Sequence, residues 1–489
     1  MTDFLPVLRI LGALITCYSL AMFLPWGFSV WNGDGLRHVW LGSLAIAFTG
    51  GMTLWFGLHR YKRELQPRHG IFLVACTWLL LPLIATLPLM WSLDAIGRPA
   101  SFTLAYFESV SGLTTTGGTA FSGLDTLPTS INVWRTFQSW LGGMGILVLA
   151  VAILPLLGVG GTQLFKAEVA GPIRENKLTP RIKETAKGMW SLYALLSLLC
   201  FLGYWIGGMT ASDAMIHMFT TVSLGGLSSH DASFAYFNSG MIETVAVAVM
   251  LVASCNFTLY FVAMRKGYWG DFWRDPEMRA TVSTLLGSGI FVGLLLWVSG
   301  NYDLAESLRH GIFHTISVAS TTGYTTLDYM QGWPAFAPIF MLLLSCVATS
   351  AGSTGCGIKM VRVLILMKQA RREMTRLVHP HAVQPVRLGN RVVENREIFS
   401  ILAFMLVYTG TVLGLSMLMM LSGLDPASSF GAILATVNCV GPGFGAVGPS
   451  GNYSNLSDFQ VWVCTFAMVL GRLELLSFIA LLTPSFWRK

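Results

Sequence analysis

Thr114-Thr115-Thr116-Gly117 is the first of four short segments that follow a brief apolar stretch and end in glycine. The other three are Val222-Ser223-Leu224-Gly225, Ser320-Thr321-Thr322-Gly323 and Asn438-Cys439-Val440-Gly441. The four glycines recur at intervals of roughly one hundred residues, and internal repeats of this kind indicate a pseudo-symmetric assembly. The segments therefore predict four equivalent turns around one axis.

The composition places most of the chain in lipid. Hydrophobic residues make up 54% and charged residues only 11%, against roughly 25% charged residues in an ordinary soluble domain. Apolar runs of about 20 residues, enough to cross the hydrocarbon layer, recur from end to end. They cover residues 7–29, 39–58, 70–91, 136–157, 189–208, 241–264, 281–299, 336–367 with an interruption, 398–421 and 459–482. The sequence thus predicts an all-α polytopic membrane protein.

Lys and Arg are concentrated in alternate loops. The basic loops lie within residues 60–68, 166–187, 265–279 and 359–396, whereas residues 207–240 and 422–458 carry neither Lys nor Arg. Basic loops stay cytoplasmic, so the net charge of +7 reflects topology in a lipid bilayer, and no nucleic acid is expected as a partner. The eight cysteines are dispersed without the spacing of a metal site.

The order of elements repeats with the glycine segments: a spanning helix, a short helix, a glycine loop and a second spanning helix. Residues 70–165, 166–270, 271–380 and 381–489 form the four predicted pore repeats, the third with a broken second helix. Residues 1–69 form an N-terminal extension of two helices. Asp425 before Pro426, and Asp303 with Glu306, are typical helix starts. A short helix of about 12 residues can enter and leave a membrane from one side but cannot span it.

The residue types of the four loops suit a monovalent cation. Glycine adopts the dihedral angles that turn successive carbonyl groups toward one axis, and a ring of carbonyl oxygens can replace the water shell of potassium. The C-terminal end of each short helix would add a negative dipole at the centre. All sixteen residues of the quoted segments are therefore the predicted potassium-binding filter. In the second loop Gly225-Gly226 leaves the register open, and the prediction takes Gly225.

Acidic residues lie on the same predicted face as the loops: Asp125, Asp231, Asp328 and Asp458. They would either raise the local cation concentration at the outer mouth or be ordinary solvated loop charges.

A stretch of small residues interrupts the apolar run after the third loop, and each glycine there costs a helix about 1 kcal/mol. Gly352, Ser353, Thr354, Gly355 and Gly357 are predicted to leave the helix below the filter and to act as a gate. The alternative is close helix packing through small residues.

Arg472 lies inside the last apolar run, where a charge normally faces protein or water. It is predicted to lie under the filter as part of the gate, or else to pair with an acid. Glu474, two residues away, faces another side of the helix and is a poor partner.

His217 and His314 lie in two of the short helices, and Glu108 has a similar place in the first. A hydrogen-bonded packing set is the favoured interpretation, and a transition-metal site is not expected.

These motifs resemble those of the superfamily of Trk, Ktr and HKT potassium transporters, and most closely its TrkH-type membrane subunits. The resemblance rests on the four glycine segments, the broken helix, the two additional N-terminal helices and Gly471-Arg472-Leu473-Glu474. It implies four membrane-pore-membrane repeats, a carbonyl filter, an intramembrane gating loop and a homodimer in the bacterial inner membrane. It also implies a cytoplasmic TrkA-type nucleotide-binding ring on the basic face, with no cofactor in this chain and nucleotide only on that partner.

Three functions remain to be weighed. Passive, gated potassium uptake is favoured because the predicted ring contains no titratable group. Symport with protons or sodium would need intramembrane acids as relays, for which Glu108, Glu243 and Glu474 are the candidates. An intramembrane enzyme built on Ser228 and His230 is disfavoured, because no third group is evident to orient the base.

Overall fold

The structure is a computed structural model that describes residues 4–61, 67–145, 182–300, 302–389, 391–473, 475, 479 and 481–487. Regular structure in these residues is helical apart from two paired two-residue strands, β1 (Arg387–Leu388) and β2 (Arg391–Val392). The helices are α1 (Leu5–Leu20), α2 (Phe23–Asn32), α3 (Arg37–Gly57), α4 (Pro67–Ala95), α5 (Phe102–Leu113), α6 (Thr129–Trp140), α7 (Ile182–Ile206), α8 (Ala211–Val222), α9 (Gly240–Ala253), α10 (Phe257–Lys266), α11 (Gly270–Arg274), α12 (Pro276–Val298), α13 (Leu304–Ala319), α14 (Phe336–Ser345), α15 (Met360–Val378), α16 (Asn395–Leu421), α17 (Pro426–Val437), α18 (Asp458–Arg472) and α19 (Pro484–Trp487).

Long apolar helices dominate the described part of the chain. Six stretches there are long and apolar enough to cross a membrane: Leu5–Asn32, Arg37–Gly57, Arg68–Ala95, Lys187–Ile206, Pro276–Val298 and Asn395–Leu421. They confirm the predicted helical membrane protein. Glu474, the end of the run 136–157 and the predicted boundary at residue 165 lie outside the described residues.

The apolar run 241–264 is not one straight helix. Helices α9 and α10 meet at an angle of 84°, because Asn256 caps the second one by accepting a hydrogen bond from the Thr258 N–H group at 2.9 Å. The carbonyl group of Ser254 at the bend accepts a hydrogen bond from the Ser350 N–H group at 3.0 Å. The bend therefore holds part of the chain that follows α14.

The predicted interruption of the run 336–367 is confirmed. Helix α14 ends at Ser345 and α15 begins at Met360, with the small-residue stretch between them. Gly352 and Gly357 there have φ angles of 77° and 91°, which few residues other than glycine adopt. The last long helix, α18, ends at Arg472, short of the predicted end at residue 482.

Four short helices, α5, α8, α13 and α17, begin with a side-chain cap. Ser101, Thr210, Asp303 and Asp425 each accept a hydrogen bond from the backbone N–H group three residues on, at 2.7–3.3 Å. Such caps satisfy N–H groups that a helix start leaves without a partner. At 12 to 16 residues, these helices rise only about 18–24 Å, so they cannot cross a bilayer of about 30 Å.

The short helices pack against their sequence neighbours and against helices of other units. Each one contacts the helix before it and the helix after it in sequence. In addition α8 packs on α6, α13 packs on α9, and α5 packs on α18. The contact between α5 and α18 joins the beginning of this series to its end, so the C-terminal ends of the short helices come together.

Candidate functional site

The four loops that follow the short helices share one backbone conformation. Thr115, Leu224, Thr321 and Cys439 have φ angles of 57°, 55°, 68° and 55°. Each donates its N–H group to the carbonyl group three residues back, and the next residue donates to the carbonyl group five residues back. This is the bonding pattern of a Schellman helix end. The left-handed position normally favours glycine, so four other residues here indicate backbones that the surrounding packing holds in place.

The register of the second loop differs from the prediction by one residue. In the other three loops a glycine with positive φ lies two residues after the left-handed residue: Gly117, Gly323 and Gly441, at 79°, 85° and 91°. Two residues after Leu224 stands Gly226, with φ of 60°. Gly226 is therefore the equivalent glycine, and the matching segment is 223–226. Val222 is the last residue of α8, so it precedes the loop and does not belong to the matching segment.

The loops interlock as a ring. A Cβ atom on Gly117 would lie closer than 3.0 Å to the Gly225 carbonyl oxygen. By the same measure Gly226 meets the oxygen of Thr322, Gly323 that of Val440, and Gly441 that of Thr116. Each glycine thus faces the carbonyl group that precedes the equivalent glycine of the next loop. The ring can close only because these four positions carry no side chain.

Hydroxyl groups of the short helices tie the loops down from behind. Six residues before the glycine, the hydroxyl groups of Ser111, Thr220 and Ser317 donate to the carbonyl group that follows it, at 2.5, 2.9 and 2.7 Å. The fourth loop has Ala435 at this position. There the hydroxyl group of Tyr453 donates to the Gly441 carbonyl oxygen at 2.7 Å.

The polar residues nine positions before the glycine form a second set of supports. Glu108 accepts a hydrogen bond from the Ala120 N–H group at 2.8 Å. His217 contacts the Ser228 hydroxyl group at 2.9 Å, and His314 accepts from the Thr326 N–H group at 3.1 Å. The favoured interpretation as a hydrogen-bonded packing set is confirmed. With Gly226 as the reference, equal offsets of six and nine residues recur in the first three units, a signal present in the sequence that the prediction missed.

Glu108 also forms an ion pair with Arg135 of α6, and both side chains are 0% exposed. The Nη2 atom of Arg135 lies 2.6 Å from the carboxylate, and its Nη1 atom donates to the Ser228 carbonyl oxygen at 3.2 Å. One guanidinium group therefore connects the first and second loops. A charge-assisted contact of this kind is strong only when both partners stay in place.

A cavity of about 280 Å³ lies on the outer side of the ring. The four ring glycines, one from each loop, line this cavity together with Arg135, His230 and Asp231. Of the four acids predicted at the mouth, only Asp231 lines this cavity. Asp328 instead accepts hydrogen bonds from nearby loop groups, and Asp458 lies in the first turn of α18.

His230 joins two acids at the rim of the cavity. Its Nδ1 atom lies 2.5 Å from Asp125 and its Nε2 atom 3.2 Å from Asp213. Burial lowers the pKa of His230, but hydrogen bonds and charges of the two carboxylates outweigh burial and raise it above its usual 6.5. Burial raises the pKa of Asp125, and the contacts with His230 reverse that shift and lower it below 3.8. His230 contacts Ser228 only through its backbone N–H group, so the Ser228–His230 hydrolase pairing is wrong.

The residues between α14 and α15 lie against the inner side of the ring. The Cys356 N–H group donates to the Thr321 hydroxyl group at 3.4 Å, and the Thr354 hydroxyl group donates to the Val222 carbonyl oxygen at 3.3 Å. The Lys359 ammonium group donates to the Gly355 carbonyl oxygen. This segment, 349–359, is called the inner loop below. It contains five of the six residues predicted as a gate, and the sixth is Arg472 of α18.

Arg472 lies between the ring and the inner loop. Its Nη1 atom contacts the Thr115 hydroxyl group at 3.2 Å and the Thr354 carbonyl oxygen at 3.0 Å. Its Nη2 atom donates to the Gly142 carbonyl oxygen at 2.6 Å. The guanidinium group also lies 5.2 Å from the centre of the Trp78 ring. The Arg472 side chain thus contacts the first loop, the inner loop and the residues that follow α6.

The comparisons with known proteins agree with one another and cover most of the chain. A family model for TrkH, described as a cation transport protein, matches residues 37–489. The chain is 40% identical to the Trk system potassium uptake protein TrkH of Salmonella typhimurium, over 99% of this chain and 100% of that protein. It is 35% identical to the Trk system potassium uptake protein TrkG of Escherichia coli K12, over 99% and 98%. The crystal structure of the potassium transporter TrkH from Vibrio parahaemolyticus matches with a TM-score of 0.89 at 37% identity, over 99% and 100%.

Proposed function

Because the chain belongs to the TrkH family of cation transport proteins, we propose that the ring of four loops is the selectivity filter of a gated potassium pathway. At the coarser level the chain is a potassium uptake transporter of the Trk system and a multi-pass protein of the inner membrane, and it is not an enzyme. The observation that carries the proposal is the cyclic contact of each loop glycine with a carbonyl group of the next loop.

The proposed architecture is four membrane-pore-membrane repeats around one path. Residues 1–69 precede repeats at 70–165, 166–270, 271–380 and 381–489. The four capped short helices and the contact of α5 with α18 support this division. Each short helix points its C-terminal end at the ring, where the helix dipole favours a cation.

Potassium is proposed to lose water to the main-chain oxygens of the ring. The carbonyl groups that face the glycine of the preceding loop are those of Thr116, Gly225, Thr322 and Val440. Main-chain oxygens supply coordination without a titratable charge. The filter is therefore segments 114–117, 223–226, 320–323 and 438–441, which keep the predicted sites except in the second loop.

The inner loop and Arg472 are proposed to form the gate. The inner loop lies directly under the ring, and Arg472 adds a positive charge there that opposes the passage of a cation. Gly352 and Gly357, with positive φ, allow the two turns of this loop. Opening requires the inner loop to leave Arg472 and the Thr321 hydroxyl group.

Regulation is proposed to come from outside the chain. A cytoplasmic TrkA-type nucleotide-binding ring would dock on the basic face, and two copies of this chain would form a homodimer. The basic residues of α15 and the strands after it, including Arg371, Arg376 and Arg387, supply exposed positive charge. Nucleotide would bind only to the partner.

Symport with protons or sodium is the second candidate. Its relay acids would need freedom to exchange a proton. Glu108 is bound by Arg135, and Glu243 is bound by Arg309 through two contacts of 2.7 Å. Both described candidates are therefore occupied by guanidinium groups, which favours passive uptake.

Reversal potentials distinguish the two functions. Membranes that contain the chain and its regulatory partner are placed under a potassium gradient, with a pH or sodium gradient added. Passive uptake predicts a reversal potential that follows potassium alone. A shift with the pH or sodium gradient would establish coupling and contradict the proposal.

A further inference from the structure

Two cysteines meet where the inner loop approaches the fourth filter loop. Cys356 belongs to the inner loop, and Cys439 has the left-handed position of the fourth loop. Both side chains are buried, with 5% and 0% exposure, and their thiol groups interact side chain to side chain. A filter built from main-chain oxygens needs neither of these two thiol groups.

Helix α18 provides an independent measure of their proximity. The Sγ atom of Cys356 lies 3.4 Å from the Nη1 atom of Arg472, and the Sγ atom of Cys439 lies 4.0 Å from the Met468 carbonyl oxygen. Met468 and Arg472 are four residues apart and share one helix face. Both sulfur atoms therefore approach residues that lie one turn apart on α18.

The other cysteines have different surroundings. Cys346 contacts the side chains of Asn438 and Tyr408, and Cys464 is buried within α18. All eight cysteines belong to the described residues and are free thiols. Among them Cys356 combines the Cys439 thiol as a neighbour with the Arg472 guanidinium group at 3.4 Å, and such a group stabilises negative charge on a reacting sulfur.

We propose that Cys356 and Cys439 form a reversible disulfide that fastens the inner loop to the filter and closes the potassium path. The proposal rests on the proposed gate. Because the inner loop must leave the ring for ions to pass, a covalent bond to the fourth loop holds the path shut. The site is thus a redox modification site within the pore.

A peroxide is the proposed class of oxidant. The Cys356 thiolate attacks one peroxide oxygen, the O–O bond breaks, and Cys356 becomes a sulfenic acid while the second oxygen leaves as water after protonation. The Cys439 sulfur then attacks the Cys356 sulfur, the S–O bond breaks, and a second water leaves. Two thiols lose two electrons in total, and one hydrogen peroxide gains them. A dithiol reductant reverses the bond by exchange.

The first test is a peptide map of the full chain in native membranes, before and after hydrogen peroxide, under non-reducing conditions. One cross-linked pair of peptides that contains Cys356 and Cys439 is expected, and dithiothreitol should remove it. Peroxide treatment that oxidises either cysteine without joining the two would overturn the proposal. This readout needs no transport activity, so it remains decisive if the proposed function fails.

The second test measures potassium uptake in the same membranes, with each variant compared with its own reduced state. Peroxide should abolish uptake by the natural chain, and dithiothreitol should restore it. Cys356→Ser and Cys439→Ser should each resist peroxide, whereas the matched control Cys464→Ser should be inhibited like the natural chain. A cross-link that leaves uptake unchanged would overturn the closing role.

Discussion

The outer and inner sides of the loop ring differ in symmetry. On the outer side four glycines make the same contact in cyclic order, each with the next loop. On the inner side one loop from the third unit and one arginine from the fourth make the contacts. Coordination of an ion from all sides requires equivalent groups around it. A barrier to the ion requires only one segment that lies across the path. The proposed filter and the proposed gate can therefore change independently.

The largest expected effect tests how much the buried ion pair of Glu108 and Arg135 stabilises the outer side of the ring. Glu108→Gln leaves the Arg135 guanidinium group buried with a neutral partner. Because removing one member of a buried ion pair typically costs about 3–5 kcal/mol, the free energy of unfolding should fall by that order. Thermal unfolding in detergent measures the change.

An exposed carboxylate is the control for Glu108. Glu373→Gln, at a residue whose side chain is 52% exposed, should change stability by less than about 0.5 kcal/mol. Replacing Glu108 and Arg135 together should cost less than the sum of the single changes. Equal losses for Glu108→Gln and Glu373→Gln would contradict the supporting role of the buried pair.

The next effect tests whether Gly226 is the glycine of the second loop that is equivalent to the glycines of the other three. Gly226→Ala should reduce potassium uptake at least about tenfold, because a left-handed alanine costs about 1–2 kcal/mol and its Cβ atom overlaps the Thr322 carbonyl oxygen. Gly225→Ala is the matched control. A Cβ atom there would lie 2.9 Å from the Ser139 Cβ atom and 3.0 Å from the Ser139 and Ser223 hydroxyl oxygens. Gly225 is not among the glycines with positive φ, and no carbonyl oxygen is among these nearest atoms, so the loss of uptake should be smaller.

Uptake under potassium limitation, corrected for the amount of chain in the membrane, compares the two variants. If Gly225→Ala proved the more harmful, the equivalence of Gly226 with the other three glycines would be wrong.

A smaller effect probes the inner side. Arg472→Ala should increase potassium uptake about fivefold, equivalent to roughly 1 kcal/mol or one hydrogen bond, because the inner loop loses a contact and the path loses a positive charge. Arg472→Lys keeps the charge but cannot reach Thr115, Thr354 and Gly142 together. Initial rates of uptake separate the two contributions.

Arg376→Ala on the exposed face of α15 is the control for Arg472, and its side chain is 44% exposed. Arg472 would not belong to the barrier if its removal lowered uptake as much as a filter substitution does.

The smallest effect concerns external pH. His230 has a raised pKa, so the stability that its contacts with Asp125 and Asp213 contribute is fully present below about pH 6.5 and is lost as pH rises through the raised value. The contribution should be at most about 1 kcal/mol, since the contact with Asp125 is partly exposed and screened. Melting temperatures between pH 6 and pH 9 should fall more for the natural chain than for His230→Gln. Parallel curves for the two proteins would remove His230 from this role.

The repeated loops could be predicted from the sequence because glycine marks a backbone requirement that few other residues meet. The break between α14 and α15 was equally visible, since small residues weaken a helix in any context. The register of the second loop was missed because adjacent glycines satisfy the same local rule. Polar residues lie six and nine positions before Gly226 but not before Gly225, and the Cβ position of Gly226 meets the Thr322 carbonyl oxygen of the third loop.

Other features depend on contacts between distant parts of the chain. The pairing of Glu108 with Arg135 joins residues of two helices, and the contacts of Arg472 reach three separate elements. The bend between α9 and α10 follows from Asn256, a helix cap within an otherwise apolar run. Spacing alone reveals such features only after the correct reference residue is known, as the offsets of Ser111, Thr220 and Ser317 illustrate.

Tyr453, which alone replaces the missing hydroxyl group behind the fourth loop, shows what encoding all four sides in one polypeptide allows. A single codon change alters one quadrant, whereas in an assembly of four identical subunits it would alter all of them at once. Each quadrant can thus acquire its own chemistry while the remaining three preserve the passage. Cys439, at the position where the other loops carry Thr115, Leu224 and Thr321, illustrates that freedom.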